Sequence, residues 1–301
     1  MKHFKFIFLV CFATLAYTSY IKAQGNPRLS NDPLNNWDGV THWTKYLITS
    51  PGFMGPNALP VPDIKKGTID SVVFLEGAIG QHFNSRDNTP FTFTRIYVPV
   101  VKNVIAVELY GYPYESYDMD SSLRFERRTF KLKGKGSCAG DFYFATIINL
   151  VHNKENAPDI ALSLNARTAS GNGEQEARYT DAPGYFFDVS AGKTLHDIYF
   201  DIRPYALAGF YCWQTNMDNN PQDDAFLYGF GFDIMKKKWM FSASMNGYIG
   251  YIGNGDKPNV ARLSLSHNGN RMRYKLSYQK GYHDYAYQTL QFSMALVLYR
   301  K

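Results

Sequence analysis

Alternation is the feature that most constrains this chain. From Gly67 onward, apolar and polar residues trade places every second position in about twelve separate segments. The last is the clearest: Leu290, Phe292, Met294, Leu296 and Leu298 interleave with Gln291, Ser293, Ala295, Val297 and Tyr299. Before it, Met272, Tyr274, Leu276 and Tyr278 alternate with Arg271, Arg273, Lys275, Ser277 and Gln279. Period two places one set on each face of a sheet. The segments are 70–83, 91–100, 103–113, 140–151, 158–168, 183–190, 196–213, 224–236, 238–251, 258–267, 271–282 and 287–299. Turn clusters such as Asn254-Gly255-Asp256 and Asn268-Gly269-Asn270 separate them. That spacing suits antiparallel hairpins and leaves little room for helices. After the first 20 or so residues, no apolar run approaches the roughly 18–20 that a spanning helix needs.

Alternation alone does not say what the apolar face touches. In a soluble sandwich it fills a core with interdigitating Val, Ile and Leu; in a membrane barrel it faces lipid, and the interior is polar. Here aromatics make up 16% of the residues, with 23 Tyr and 22 Phe, and charged residues only 19%, against about 25% in ordinary soluble domains. The expectation is therefore an all-β fold: an antiparallel transmembrane β-barrel of about 12 strands in the cell outer membrane. Glu76, His82, Glu108, Arg167, Asp201, Arg203, Asp233, Arg262, Arg273 and Lys275 are expected to line its lumen. An Arg or Lys on the lipid face costs about 2–4 kcal/mol near the midplane, so opposite charges are expected to gather inside. Closure requires the last strand to pair with the first, leaving no edge.

Three regions are expected. Met1–Ala23 reads as a secretory signal, with Lys2, His3 and Lys5 ahead of the apolar run Phe6–Ala16. Residues 24–66 form an irregular arm broken by Pro51, Pro56, Pro60 and Pro62, a segment able to enter the lumen. Residues 67–301 form the barrel domain. Cleavage after Ala23 removes three lysines and lowers the net charge from +6 to +3. No basic cluster with interleaved aromatics points to nucleic acid. The stretch from Arg124 to Lys135 reads as a solvated loop, and Cys138 and Cys212 are as compatible with a disulfide as with two free thiols.

Several strings resemble uncharacterised outer-membrane β-barrel proteins of Bacteroidota: Met54-Gly55-Pro56-Asn57-Ala58-Leu59-Pro60-Val61-Pro62, Thr168-Ala169-Ser170-Gly171, Ala177-Arg178-Tyr179-Thr180-Asp181-Ala182-Pro183-Gly184-Tyr185 and Gly209-Phe210-Tyr211-Cys212-Trp213-Gln214-Thr215. The resemblance implies location and architecture far more than activity.

Few residues suggest chemistry. Residues 168–181, with Glu174, Glu176 and Asp181, are a candidate for holding Ca²⁺ or a sugar, and a second acidic group, Asp218, Asp223 and Asp224, for a divalent cation bridging lipopolysaccharide phosphates; each reads more simply as a polar loop. Ser266 and His267 are adjacent and therefore point to opposite faces of a regular strand. His82 with Ser85, and His283 with Asp284, need partners from elsewhere in the chain. No cofactor or metal is implied. The leading reading is a passive or weakly selective channel for small polar solutes, or a structural barrel, with outer-membrane lipid and lipopolysaccharide as its surroundings. The alternatives are a lipid A or phospholipid hydrolase on the same scaffold and a secreted soluble carbohydrate-binding β-protein.

Overall fold

The structure is a computed structural model that describes residues 40–131 and 133–300. The expected signal and the start of the arm lie outside the described residues. The chain divides after Thr41, and the second unit, His42–Lys301, holds everything discussed below.

Among the described residues there are fourteen strands: β1 Val72–Phe83, β2 Asp87–Val101, β3 Ile105–Met119, β4 Lys135–Cys138, β5 Phe142–Val151, β6 Asp159–Arg167, β7 Gly184–Gly192, β8 Leu195–His196, β9 Asp201–Gln214, β10 Gln222–Lys236, β11 Trp239–Gly250, β12 Asn259–Asn268, β13 Met272–His283 and β14 Gln288–Arg300. Twelve of them pair antiparallel with their neighbours around a closed ring. The ring shuts where β1 pairs β14, from Val72 opposite Arg300 to Phe83 opposite Gln288. The alternating segments coincide with these twelve, with ends displaced by a few residues. The remaining two, β4 on β3 and β8 on β9, are short additions at the ends of the barrel.

The two faces part as hydrocarbon and lumen demand. Phe292, Leu296 and Tyr274 are 41%, 43% and 40% exposed on the outside, while Asp233 and Ser293 are 2% exposed on the inside. In a folded chain that met only water, such a continuous apolar exterior would be a large unpartnered patch. Facing lipid, it is the outer band of a spanning barrel. Aromatics ring both ends: Tyr199, Trp239 and Tyr299 at one, Tyr114, Tyr185, Tyr251 and Tyr282 at the other, all exposed. There their polar tips stay wet while the rings meet the acyl boundary.

The ends differ in their connections. At one, strands are joined by residues 102–104, 152–158, 193–200, 237–238 and 269–271; we call this the turn end. At the other, 84–86, 215–221, 251–258 and 284–287 are of similar length but 120–141 and 168–183 make much longer crossings, and we call this the loop end. Outer-membrane barrels show this asymmetry, with short turns on the periplasmic side.

The lumen is occupied by the arm. It starts at the loop end, where Trp43 stacks on Phe130 at 5.2 Å and Trp213 Nε1 donates to the Thr49 carbonyl at 3.0 Å. It runs the height of the barrel and turns into β1 at Lys66 and Gly67, both at positive φ. Gly67 is required there, since a Cβ would lie 2.4 Å from the Asp159 carbonyl oxygen. The prolines explain why the arm stays irregular: they remove donors and prevent ladder pairing. The arm's buried carbonyls must then find donors elsewhere, and the barrel wall provides them.

Candidate functional site

The wall residues that grip the arm are mainly arginines. Arg167 donates to the Ala58 carbonyl at 3.0 Å, and Tyr248 to that of Leu59 at 2.7 Å. Arg262 reaches the Val61 and Pro62 carbonyls at 2.5 and 3.2 Å, with Asn246 also on Pro62 at 2.8 Å. Arg203 donates to the Lys66 carbonyl at 2.9 Å. Two arm lysines reply to wall carboxylates: Lys65 to Glu108 at 2.6 Å and Lys66 to Asp233 at 2.7 Å. Asp70, where the arm leaves, pairs with Arg273.

At the loop end, two long connections fold over the arm. Residues 121–126 form a short helix, α1, capped by the Asp120 carboxylate on the Leu123 amide at 2.8 Å. The segment beyond it meets the 168–183 loop, where Phe130 and Lys131 amides donate to the Gln175 carbonyl. Beneath them lies a network of charges out of reach of water. Arg178, fully buried, donates to Glu115 at 2.7 Å, Asp87 at 2.5 Å and Thr89 at 2.8 Å, and lies 5.0 Å from the Tyr117 ring centroid. Arg127 shares Asp87 at 3.0 Å and donates to the Tyr287 hydroxyl at 2.6 Å. Glu115 also accepts from Tyr179 at 3.0 Å and from Asn57 of the arm at 2.7 Å. Asn57 accepts from His82 Nε2 at 3.0 Å, leaving Nδ1 to accept from the Thr289 hydroxyl at 2.7 Å. Two cations thus face two carboxylates, and the arm is tied into the seal.

Below the seal, between the arm and the β1–β3 and β12–β14 walls, is a cavity of about 440 Å³. Its lining runs from His82 and Tyr285 near the seal to Asp70 and Phe74 at the turn end. One side is aromatic: Phe91, Phe93, Tyr110 and Tyr112, with ring centroids 5.6–6.2 Å apart from one to the next. The opposite side carries Ser264, Ser277, Gln279 and Gln291. Arg95 lies against the Phe93 and Tyr110 rings and 3.6 Å from Glu76.

The expected inner residues divide by partner. Arg167, Arg203 and Arg262 hold the arm's backbone; Glu108 and Asp233 hold its lysines; Arg273 holds Asp70; His82 belongs to the seal. Glu76 and Lys275 face the cavity. Asp201 sits at the turn-end rim, paired with His196 at 2.8 Å and 39% exposed at its side chain.

Three expectations need correction. The Arg124–Lys135 stretch is not simply a solvated loop: Arg124 and Arg127 are 5% and 3% exposed, because α1 folds down onto the strand ends. The 168–183 connection is more than a polar hairpin loop, since it delivers Arg178 and Tyr179, both fully buried. The second acidic group does not assemble: Asp218 pairs with Lys45, Asp224 accepts from Gln222, and Asp223 is buried. Cys138 and Cys212 are buried free thiols. Ser266 lies inside and His267 packs on the Trp239 ring, so these two adjacent residues form no pair.

No family model matches the chain, and no curated protein is similar to it. Among solved structures it is similar to the KdgM porin, with a TM-score of 0.46 at 7% identity, covering 74% of this chain and 99% of that one. The transport unit of the autotransporter AIDA-I from Escherichia coli gives 0.46 at 10%, covering 80% and 94%. The Acinetobacter baumannii outer membrane protein Omp33 gives 0.37 at 11%, covering 76% and 100%.

Proposed function

We propose that this outer-membrane barrel is a channel for small polar solutes, held shut by its own N-terminal arm. One observation carries the reading. The arm fills part of the lumen and is pinned by wall side chains, yet beside it remains a chamber of about 440 Å³ lined by charged, polar and aromatic groups. A barrel needed only as a scaffold has no reason to keep both. Glu76, Glu108, Arg262 and Lys275 line the solute's path on this reading, and Arg203, Asp233 and Arg273 hold the arm that narrows it. Outer-membrane lipid and lipopolysaccharide surround the exterior, small polar solutes are the partners within, and nucleic acid plays no part.

Flux through proteoliposomes carrying the full chain tests this. Slow entry of small sugars and amino acids is expected, rising at least tenfold when Arg178→Met loosens the seal. No entry through either protein, with both correctly folded, means a structural barrel and overturns the reading.

A further inference from the structure

The cavity's charges do not cancel. Glu76 has Arg95, Glu108 has Lys65, Asp63 has Arg262 at 3.3 Å, and Asp70 has Arg273. Lys66, also in the lining, is taken by Asp233. Lys275 is left over: among the described residues no hydrogen bond or ion pair engages its ammonium, although it faces the cavity. Asp188 and Asp223, wall carboxylates with no ion pair among the described residues, lie on β7 and β10 outside that lining. An unpaired ammonium in a confined polar space is a site for an anion, because walls of low dielectric strengthen its attraction for one.

The surroundings narrow the anion's chemistry. Lys275 is opposite Ser293, Ser293 opposite Ala78, and Ala78 opposite Phe93. These four positions form one row across β13, β14, β1 and β2, about 14 Å of curved wall at the spacing of neighbouring strands. The two middle residues are small, Ala78 packs under the Phe91 and Phe93 rings, and the outer two, Lys275 and Phe93, both line the cavity. Phe93 and Tyr112 offer ring faces to a flat apolar surface. Ser277, Gln279 and Gln291 offer donors and acceptors to hydroxyls. A volume of about 440 Å³ falls at the small end of ligand cavities.

We propose that this chamber binds a hydroxylated ring bearing one carboxylate, a sugar acid, with the carboxylate on Lys275 and the ring against Phe93 and Tyr112. The inference rests on reading the chamber as a place for solute, but it fails separately. Binding without flux removes the channel and leaves the site; flux without binding does the reverse.

The test is equilibrium dialysis of the full chain in detergent micelles with glucuronate, glucose and benzoate. Glucuronate is expected to bind at least tenfold more tightly than either of the others. Lys275→Gln is expected to erase the margin over glucose, while Lys280→Gln, on the outward face of the same strand, preserves it. Since no hydrogen bond or ion pair among the described residues engages the Lys275 ammonium, and Asp63 keeps Arg262 as its ion-pair partner, its loss leaves the barrel folded, which an unchanged unfolding midpoint verifies. Equal binding of glucose and glucuronate to the unaltered chain, tighter binding of benzoate, or a margin that survives Lys275→Gln overturns the proposal.

Discussion

The seal and the chamber are built from the same residue types, Arg, Asp, Glu and Tyr, yet they behave as opposites. In the seal every charge is buried and each has a counter-charge within 3.0 Å: Arg178 and Arg127 against Asp87 and Glu115. In the chamber the Glu76–Arg95 pair stretches to 3.6 Å, Asp63 keeps more than half its side chain exposed, and Lys275 has no partner. Rigidity and binding capacity therefore come from opposite arrangements of the same groups. A matched, dry network locks geometry and is costly to break by halves. A network with one cation left over keeps binding capacity for something that arrives from outside.

Removing the seal's central cation should have the largest effect. Arg178→Met strands two buried carboxylates and should cost about 3–5 kcal/mol, read as a lower urea midpoint and faster proteolysis of the 168–183 loop. The same replacement at Lys275 should leave the midpoint unchanged; if the two variants lose equally, the contrast is false. The wall gives the next effect. Leu296→Arg should cost about 2–4 kcal/mol of folding into bilayers, whereas Gln291→Arg, turned into the chamber, should cost far less. Equal losses would mean that both faces meet the same medium.

Loosening the arm should cost less. Arg262→Ala deprives the Val61 and Pro62 carbonyls of a donor, a loss of about 1–3 kcal/mol for buried groups left unsatisfied. Trypsin should then cut at Lys65 or Lys66, which the intact chain protects.

The smallest effect concerns pH. Burial and the neighbouring Asp181 carboxyl push Glu174, in the loop over the seal, up to about 7. The folded loop therefore holds a proton that the unfolded chain releases near the ordinary Glu value of about 4.3. Its stabilisation is complete below that value, fades as pH rises towards 7, and stays lost above it. Proteolysis of the loop should accelerate over that window. Glu174→Gln should flatten the profile, and a chamber substitution such as Ser277→Ala should not alter it.

The wall was legible in the sequence because a sheet has one period and lipid tolerates one kind of face. Leu290 to Leu298 announced an outward stripe, and the charges opposite had to turn in. The seal was not legible. Arg178 meets residues 63 and 91 positions away, Glu115 and Asp87, and beside Gly171 and Gly173 it looked like turn chemistry. Pairing across such distances is set by closure of the ring, which local pattern does not encode. The arm was half legible: its four prolines point to irregularity and to a segment able to enter the lumen, but which wall side chains hold it follows only from the closed ring. One signal was available. A proline-broken segment is rich in acceptors, and a wall rich in inward arginines is rich in donors.

Whether the arm closes the lumen can be read from the single-channel conductance of the intact chain and of a chain lacking residues 42–66. The arm-filled barrel should pass rare, small current steps, and removing the arm should give large, steady ones. Identical currents from the two would show that the arm does not control the lumen.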